Sequence, residues 1–294
     1  MQQLELLEMK ITDTAQPIVN VASVPQRSPF RYAGGKTWLI PRIRQWLHHH
    51  GGSDKELVEP FAGGGIVSLT AVMENLVDRA TMVEKDEGVA SVWEVILNGG
   101  ATWLANQIVL FQLTPESARE AIGKANDSLE SLAFATIIKN RVNRGGILAD
   151  GASFIKNGEN GKGITSRWYP ETLKKRILEI DKVKHRIQFI KGDAIGVCEK
   201  NADRKNLIYF IDPPYIKAGK RLYRHSHIDH VHLFHLAHRL QGDFVMTYDD
   251  SEDVMRMANH SDFETQLISM KNTHHAKKTE LIIGRNLDWL PCSG

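Results

Sequence analysis

Apolar residues along this chain fall into short runs that end in glycine or acid, separated by stretches with helical spacing. LVEPF (57–61) is one such run and leads into a glycine cluster. IVSLTAVMENLV (66–77) follows at helical spacing, and TMVEK (81–85) reads as a second strand. Strand, glycine turn, helix and strand in that order make the βαβ opening of a doubly wound sheet. Late in the chain IQFIKGD (187–193), NLIYFIDPPY (206–215), DFVMTYDD (243–250) and ELIIGR (280–285) read as further strands. The helix pattern HIDHVHLFHLAHRL (227–240) separates two of them. Residues 101–186 are mostly helical in pattern and contain the loop-rich stretch RGGILADGASFIKNGENGKGI (144–164). The expected architecture is an α/β domain split into 29–100 and 187–290, interrupted by an insertion at 101–186 and preceded by a tail at 1–28.

Composition narrows the class. With 294 residues, 42% hydrophobic and 24% charged, the chain is neither disordered, collagen-like nor coiled coil. Cys198 and Cys292 are too few for a disulfide framework or a Cys-rich zinc site. No apolar run reaches the roughly 18 residues of a membrane helix. The opening MQQLELLEMK has no signal-peptide pattern, so a cytoplasmic protein without a membrane partner is expected. Net charge is only +2, but residues 139–191 hold 13 Lys and Arg against 5 acids. Such a block is either a solvated face or a polyanion surface.

Three motifs carry candidate chemistry. Asp212-Pro213-Pro214-Tyr215 leaves the strand LIYFI, at the end of a strand where open α/β sheets bind ligands. The prolines stiffen the turn, so Asp212 and the Pro213 carbonyl could accept hydrogen bonds from an amino group while Tyr215 stacks on its ring. A strand-ending turn with a capping Asp has the same residues, and residue type alone leaves both open. The second motif, Glu59-Pro60-Phe61-Ala62-Gly63-Gly64-Gly65, runs from strand into helix, and Gly63 and Gly65 permit a tight turn. Ser68 stands where the dinucleotide fingerprint needs its third glycine, which disfavours a pyrophosphate site. Glu84, at the end of the next strand, is placed to accept from ribose hydroxyls. The third motif, Arg31-Tyr32-Ala33-Gly34-Gly35-Lys36-Thr37, imitates a P-loop but has Phe30 where that loop needs glycine.

Taken together, RYAGGK (31–36), LVEPFAGGG (57–65), a basic insertion and DPPY (212–215) resemble the Dam-like, D12-class DNA adenine-N6 methyltransferases. The resemblance runs from about Pro29 to about Arg285 and takes in IKNRVNRGGIL (138–148), RWYPETLKKRI (167–177), GDA (192–194), MTYDD (246–250) and KKTELIIGRN (277–286). It implies a Rossmann-like S-adenosylmethionine-dependent domain with an inserted, mostly helical DNA-recognition domain, acting on double-stranded DNA; monomeric action is the default expectation. A cognate restriction enzyme is a candidate partner. Cofactor contacts implied by the resemblance fall on Tyr32, Lys36, Glu59, Phe61, Gly63, Gly65, Glu84, Asp193 and Asp212. Catalysis is implied for Asp212, Pro213, Pro214 and Tyr215. Candidates to grip phosphates or read base edges are Lys139, Arg141, Arg144, Lys156, Lys162 and Arg167.

The implied reaction is direct, in-line transfer from the sulfonium to N6 of a flipped adenine, with no metal. Six histidines fall in His225–His238, but no Cys or carboxylate completes a metal set there, and a polar helix face accounts for them. Cytosine-C5 chemistry would need a Pro-Cys pair, and Pro291-Cys292 lies at the very end of the chain. N4-cytosine or RNA adenine methylation, or a DNA-binding relative without catalysis, are the rival readings.

Overall fold

The computed structural model describes residues 24–31, 34–149, 151–158, 161–216, 228–271 and 277–290. Among the described residues seven strands form one sheet: β1 (Glu56–Glu59), β2 (Arg79–Glu84), β3 (Ile187–Lys191), β4 (Leu207–Ile211), β5 (Asp243–Asp249), β6 (Glu264–Lys271) and β7 (Lys277–Gly284). Their order is β3-β2-β1-β4-β5-β7-β6. The first five are parallel, and β7 pairs antiparallel with both β5 and β6. The mixed α/β, Rossmann-like fold expected from the sequence is thus present. Because β1 and β4 are neighbours while β2 and β5 lie to opposite sides, a crevice opens at the carboxyl ends of β1 and β4.

Parallel strands covered on both faces read as unbroken apolar runs, and LIYFI of β4 is buried at every residue. Side-chain alternation splits these runs between two cores. Leu57, Ile208, Phe210 and Val245 face one cluster, while Val58, Tyr209, Ile211, Phe244 and Met246 face the other. The first cluster receives α1 (Ile40–His49), α2 (Ile66–Met73), α3 (Glu87–Val95) and α4 (Ala101–Leu110). The second receives α9 (His230–Arg239) and α10 (Glu252–His260), with Cys198 from α8 (Ala194–Lys200).

The apolar pattern of the chain does not announce β6. Its ETQLISMK mixes polar and apolar residues without an unbroken run, and Leu267 is exposed while Ile268 is buried. Such a strand exists through its eight-residue pairing with β7, which sequence pattern does not display.

Residues 101–186 contribute α4, α5 (Pro115–Gly123), α6 (Leu129–Val142) and α7 (Pro170–Val183). Leu104, Ile108, Ile137, Leu173 and Ile177 join the core on the first face of the sheet. A smaller cluster of Ala118, Ile138 and Val142, with Phe111 and Trp168 against it, lies beyond. Residues 24–28 fall in the range expected as a tail, yet Val24 and Ser28 are buried and Arg27 pairs with Glu74 at 2.8 Å.

Candidate active site

The site begins where β4 ends. Asp212 is the first residue past Ile211, and both of its oxygens are fixed. Thr247 Oγ1, from the neighbouring β5, donates to Oδ1 at 2.6 Å, and Lys36 Nζ meets Oδ2 at 2.8 Å. Lys36 is 3% exposed and also donates to the Gly34 carbonyl at 2.9 Å and to Tyr215 Oη at 3.0 Å. An ammonium has three protons, so these partners account for all of them. Glu280 of β7 lies 3.6 Å from the same ammonium. Burial works against the Lys36 charge, but the Asp212 and Glu280 carboxylates outweigh it and hold its pKa above the ordinary lysine value.

Glu280 is itself buried. Desolvation pushes its carboxyl up to about 7 against the pull of Lys36, and Asp212 adds to the rise. Tyr215 also bonds Glu280 and stacks on Tyr248, with ring centroids 6.2 Å apart and 22° between planes. Tyr248 in turn meets His230 Nδ1 at 2.9 Å. Neither Thr247 nor Glu280 was singled out from the sequence. The available signal was Thr247 inside the apolar run FVMTY and Glu280 at the head of LIIG.

The second wall is the glycine turn after β1. Gly63 and Gly65 have φ of +46° and +62°, a region open to glycine. A Cβ on Gly65 would lie 2.6 Å from Met82 Cε and 3.1 Å from the Trp93 ring, so this glycine also serves close packing. Glu59 is buried at the end of β1 and accepts the Ser68 N–H at 2.8 Å, satisfying a donor in the first turn of α2. Glu84 accepts three amides: Gly63 at 2.9 Å, and Lys85 and Asp86 at 2.8 Å each. These bonds clamp the turn to the end of β2.

Desolvation lifts the carboxyls of Glu59 and Glu84 to about 7, against their amide bonds, which favour the charged form. For Glu59 the ordinary value is 4.5. Between the two values the native state keeps a proton that the unfolded chain has released, so stability falls as pH rises through this window. Glu59→Gln preserves an acceptor for Ser68 without the charge. It is expected to lose less thermal stability than the parent between about pH 5 and about pH 7.5 by calorimetry. Equal losses would mean that Glu59 is ionised throughout.

A cavity of about 730 Å³ joins the two walls. It is lined by Lys36, Glu59, Phe61, Gly63, Gly65, Glu84, Asp193, Asp212 and Pro214, all singled out from the sequence. Asp193 caps α8 through the Gly196 N–H at 3.2 Å. Pro213 is buried, and Tyr32 lies outside the described residues, as do Pro291-Cys292. Lys36, expected to contact cofactor, lines this cavity and donates to Gly34, Asp212 and Tyr215.

The basic residues part company. Arg144, Lys156 and Lys162 are exposed, and Lys139 and Arg167 are half-buried. Arg141, grouped with these as a candidate phosphate or base contact, does not lie on an exposed face. It is 5% exposed, donates to the Pro29 carbonyl and lines the cavity. Three histidines of α9 serve separate partners: His230 meets Tyr248, His232 meets Glu199 at 3.0 Å, and His238 meets the Ser261 carbonyl.

The sequence profile of the D12 class N6 adenine-specific DNA methyltransferases matches residues 32–78. Over this segment the chain is D12-like. The segment holds Lys36, Glu59 and the glycine turn, and it ends before the Asp212 motif. A search of curated proteins gave no match. Among solved structures, the chain is similar to a Pyrococcus horikoshii protein assigned as an RNA methyltransferase, at 11% identity and TM-score 0.42, covering 85% of this chain and 84% of that one. It is also similar to a precorrin-6y C5,15-methyltransferase of Geobacter metallireducens, at 10% and 0.37, covering 83% and 85%. A third is the rRNA methyltransferase aviRa of Streptomyces viridochromogenes, at 9% and 0.36, covering 84% of each chain. The D12-like segment and the doubly wound sheet support a methyltransferase that uses S-adenosylmethionine.

Proposed function

We propose that this protein methylates adenine N6 in double-stranded DNA at a specific sequence, on a base turned out of the helix. The observation that carries the reading is Asp212, held rigidly by Thr247 and Lys36 at the β4 end of a cavity whose opposite wall is the D12-like glycine turn. S-adenosylmethionine would supply a methyl carbon made electrophilic by its sulfonium sulfur, which would keep the electrons of the broken carbon–sulfur bond and leave as a neutral thioether, so no nucleophile of the protein is required. The cavity suits that cofactor chemically: carboxylates of Glu59, Glu84, Asp193 and Asp212 line it, and they favour a cationic ligand with hydroxyl donors. Glu84 keeps acceptor capacity beyond its three amide bonds, enough for a ribose hydroxyl.

Adenine N6 is a poor nucleophile because its lone pair is delocalised into the ring. Asp212 would accept one N6 proton in a hydrogen bond and the Pro213 carbonyl the other, drawing the lone pair back onto nitrogen as the bond to carbon forms. The N6 proton then passes to the Asp212 carboxylate. Preorganisation is the physical gain, since Thr247 and Lys36 have already oriented the acceptor. A base inside a duplex cannot reach this point, so it has to be flipped.

The test is methyl transfer from S-adenosylmethionine to mixed-sequence duplex DNA, with the nucleosides resolved by mass spectrometry. N6-methyladenine is the expected product. N4-methylcytosine, or methylation of RNA alone, would keep the amino-group chemistry and overturn the substrate. Absence of cofactor binding would overturn the reading as a whole.

A further inference from the structure

Two arginines of the basic segment have turned inward. Arg141 from α6 and Arg176 from α7 both line the cavity, and Arg31 lines it beside them. Arg141 donates to the Pro29 carbonyl, and Arg176 donates to the Ser28 carbonyl at 3.1 Å. A guanidinium offers five N–H donors, so one carbonyl apiece leaves most of each unused. Arg141 Nε is buried without a hydrogen-bond partner. Among the described residues no carboxylate pairs with Arg141 or Arg176.

Burying such charges unpaired is costly. Burial pulls the Arg141 pKa down to about 9, and the like charges of Arg176 and Arg31 add to the fall. The surrounding backbone is nevertheless fixed. Asn140, next to Arg141, accepts the Arg31 N–H at 2.8 Å and donates to the carbonyls of Arg31 and Gly146 at 3.0 Å each. This knits the first motif to α6 and to the loop at Gly145–Gly146, where φ is +71° and +73°. The guanidiniums are therefore held in place, at a distance in sequence from the acidic wall of the same cavity.

We propose that Arg141 and Arg176 form an oxyanion subsite inside the cavity, which takes one carboxylate or phosphate group of a bound ligand. Two sources present that chemistry: the amino-acid carboxylate of S-adenosylmethionine, and a backbone phosphate of the flipped nucleotide. Assigning either source rests on the function proposed above, whereas the subsite itself does not. Charged, bidentate geometry is what guanidinium provides and ammonium does not, so Arg176→Lys should restore only part of what Arg176→Gln loses.

Arg176 is half-buried and is the residue to change, since Arg141→Gln threatens folding. The full chain and its Arg176→Gln and Arg176→Lys variants are titrated with inorganic phosphate against chloride at equal ionic strength, S-adenosylmethionine, its decarboxylated analogue, and duplex DNA. Arg176→Gln is expected to weaken at least one oxyanion probe by about tenfold or more. If S-adenosylmethionine is weakened and the decarboxylated analogue is not, the ligand group is the cofactor carboxylate. If cofactor affinity holds while duplex binding weakens with a salt slope shallower by about one, it is a phosphate. Lower basal melting temperature with every ligand affinity unchanged would overturn the subsite and leave a backbone clamp on Ser28 and Pro29. Should the unsubstituted chain fail to bind S-adenosylmethionine, the proposed function falls, and the phosphate titration alone decides the subsite.

Discussion

Asp212→Asn is expected to slow methyl transfer to adenine by about a hundred- to a thousandfold while leaving duplex affinity essentially unchanged. The amide is nearly isosteric, so Thr247 keeps a partner and the turn keeps its shape. What disappears is the anionic acceptor that draws the N6 lone pair onto nitrogen. An interaction made chiefly in the transition state shows itself in kcat, with little movement in KM. Single-turnover transfer on a duplex substrate, with duplex binding followed separately by anisotropy, gives both quantities. A variant that transfers methyl at the parent rate would remove Asp212 from the reaction, and equal losses in binding and transfer would make it a structural residue.

Much of this site was legible because its parts lie at strand ends. Asp212 follows an unbroken apolar run, and the glycine turn follows another, so topology alone directs both to the crevice between β1 and β4. The partners that fix Asp212 were not legible. Lys36 lies far in sequence from Thr247 and Glu280, and a single polar residue in a strand looks the same whether it faces solvent or a buried cation. Arg141 illustrates a signal that was present but outweighed. It stands four residues after Ile137 and eight after Ala133, on the stripe of α6 that packs into the first core, so helical periodicity placed it inward. Its membership of a basic run suggested a surface instead. β6 was missed for a different reason: an edge strand of mixed polarity depends on its register with β7, and register is a long-range property.

Lys36→Met should be the most destabilising single change at this site, by about 3–5 kcal/mol, because it leaves buried carboxylates facing each other without their cation. Lys36 is 3% exposed, and the Asp212 and Glu280 side chains are 21% and 7% exposed, so water screens the loss poorly. The deficit should depend on pH. Glu280 already titrates at about 7 beside Lys36. Removing the ammonium drives it higher still, so the native state holds its proton over a wider range than the unfolded chain does. Stability of Lys36→Met then falls as pH rises through that range, and the variant is least impaired under mildly acidic conditions. Glu280→Gln mimics the protonated acid, and on its own it should change little near pH 6. Combined with Lys36→Met it should restore part of the lost stability, giving a nonzero coupling in a double-mutant cycle by denaturant unfolding. Additive effects would mean that Lys36 and Glu280 do not share a charge balance. Transfer activity should stay low in the double variant even where stability recovers, since Asp212 has lost the group that orients its second oxygen.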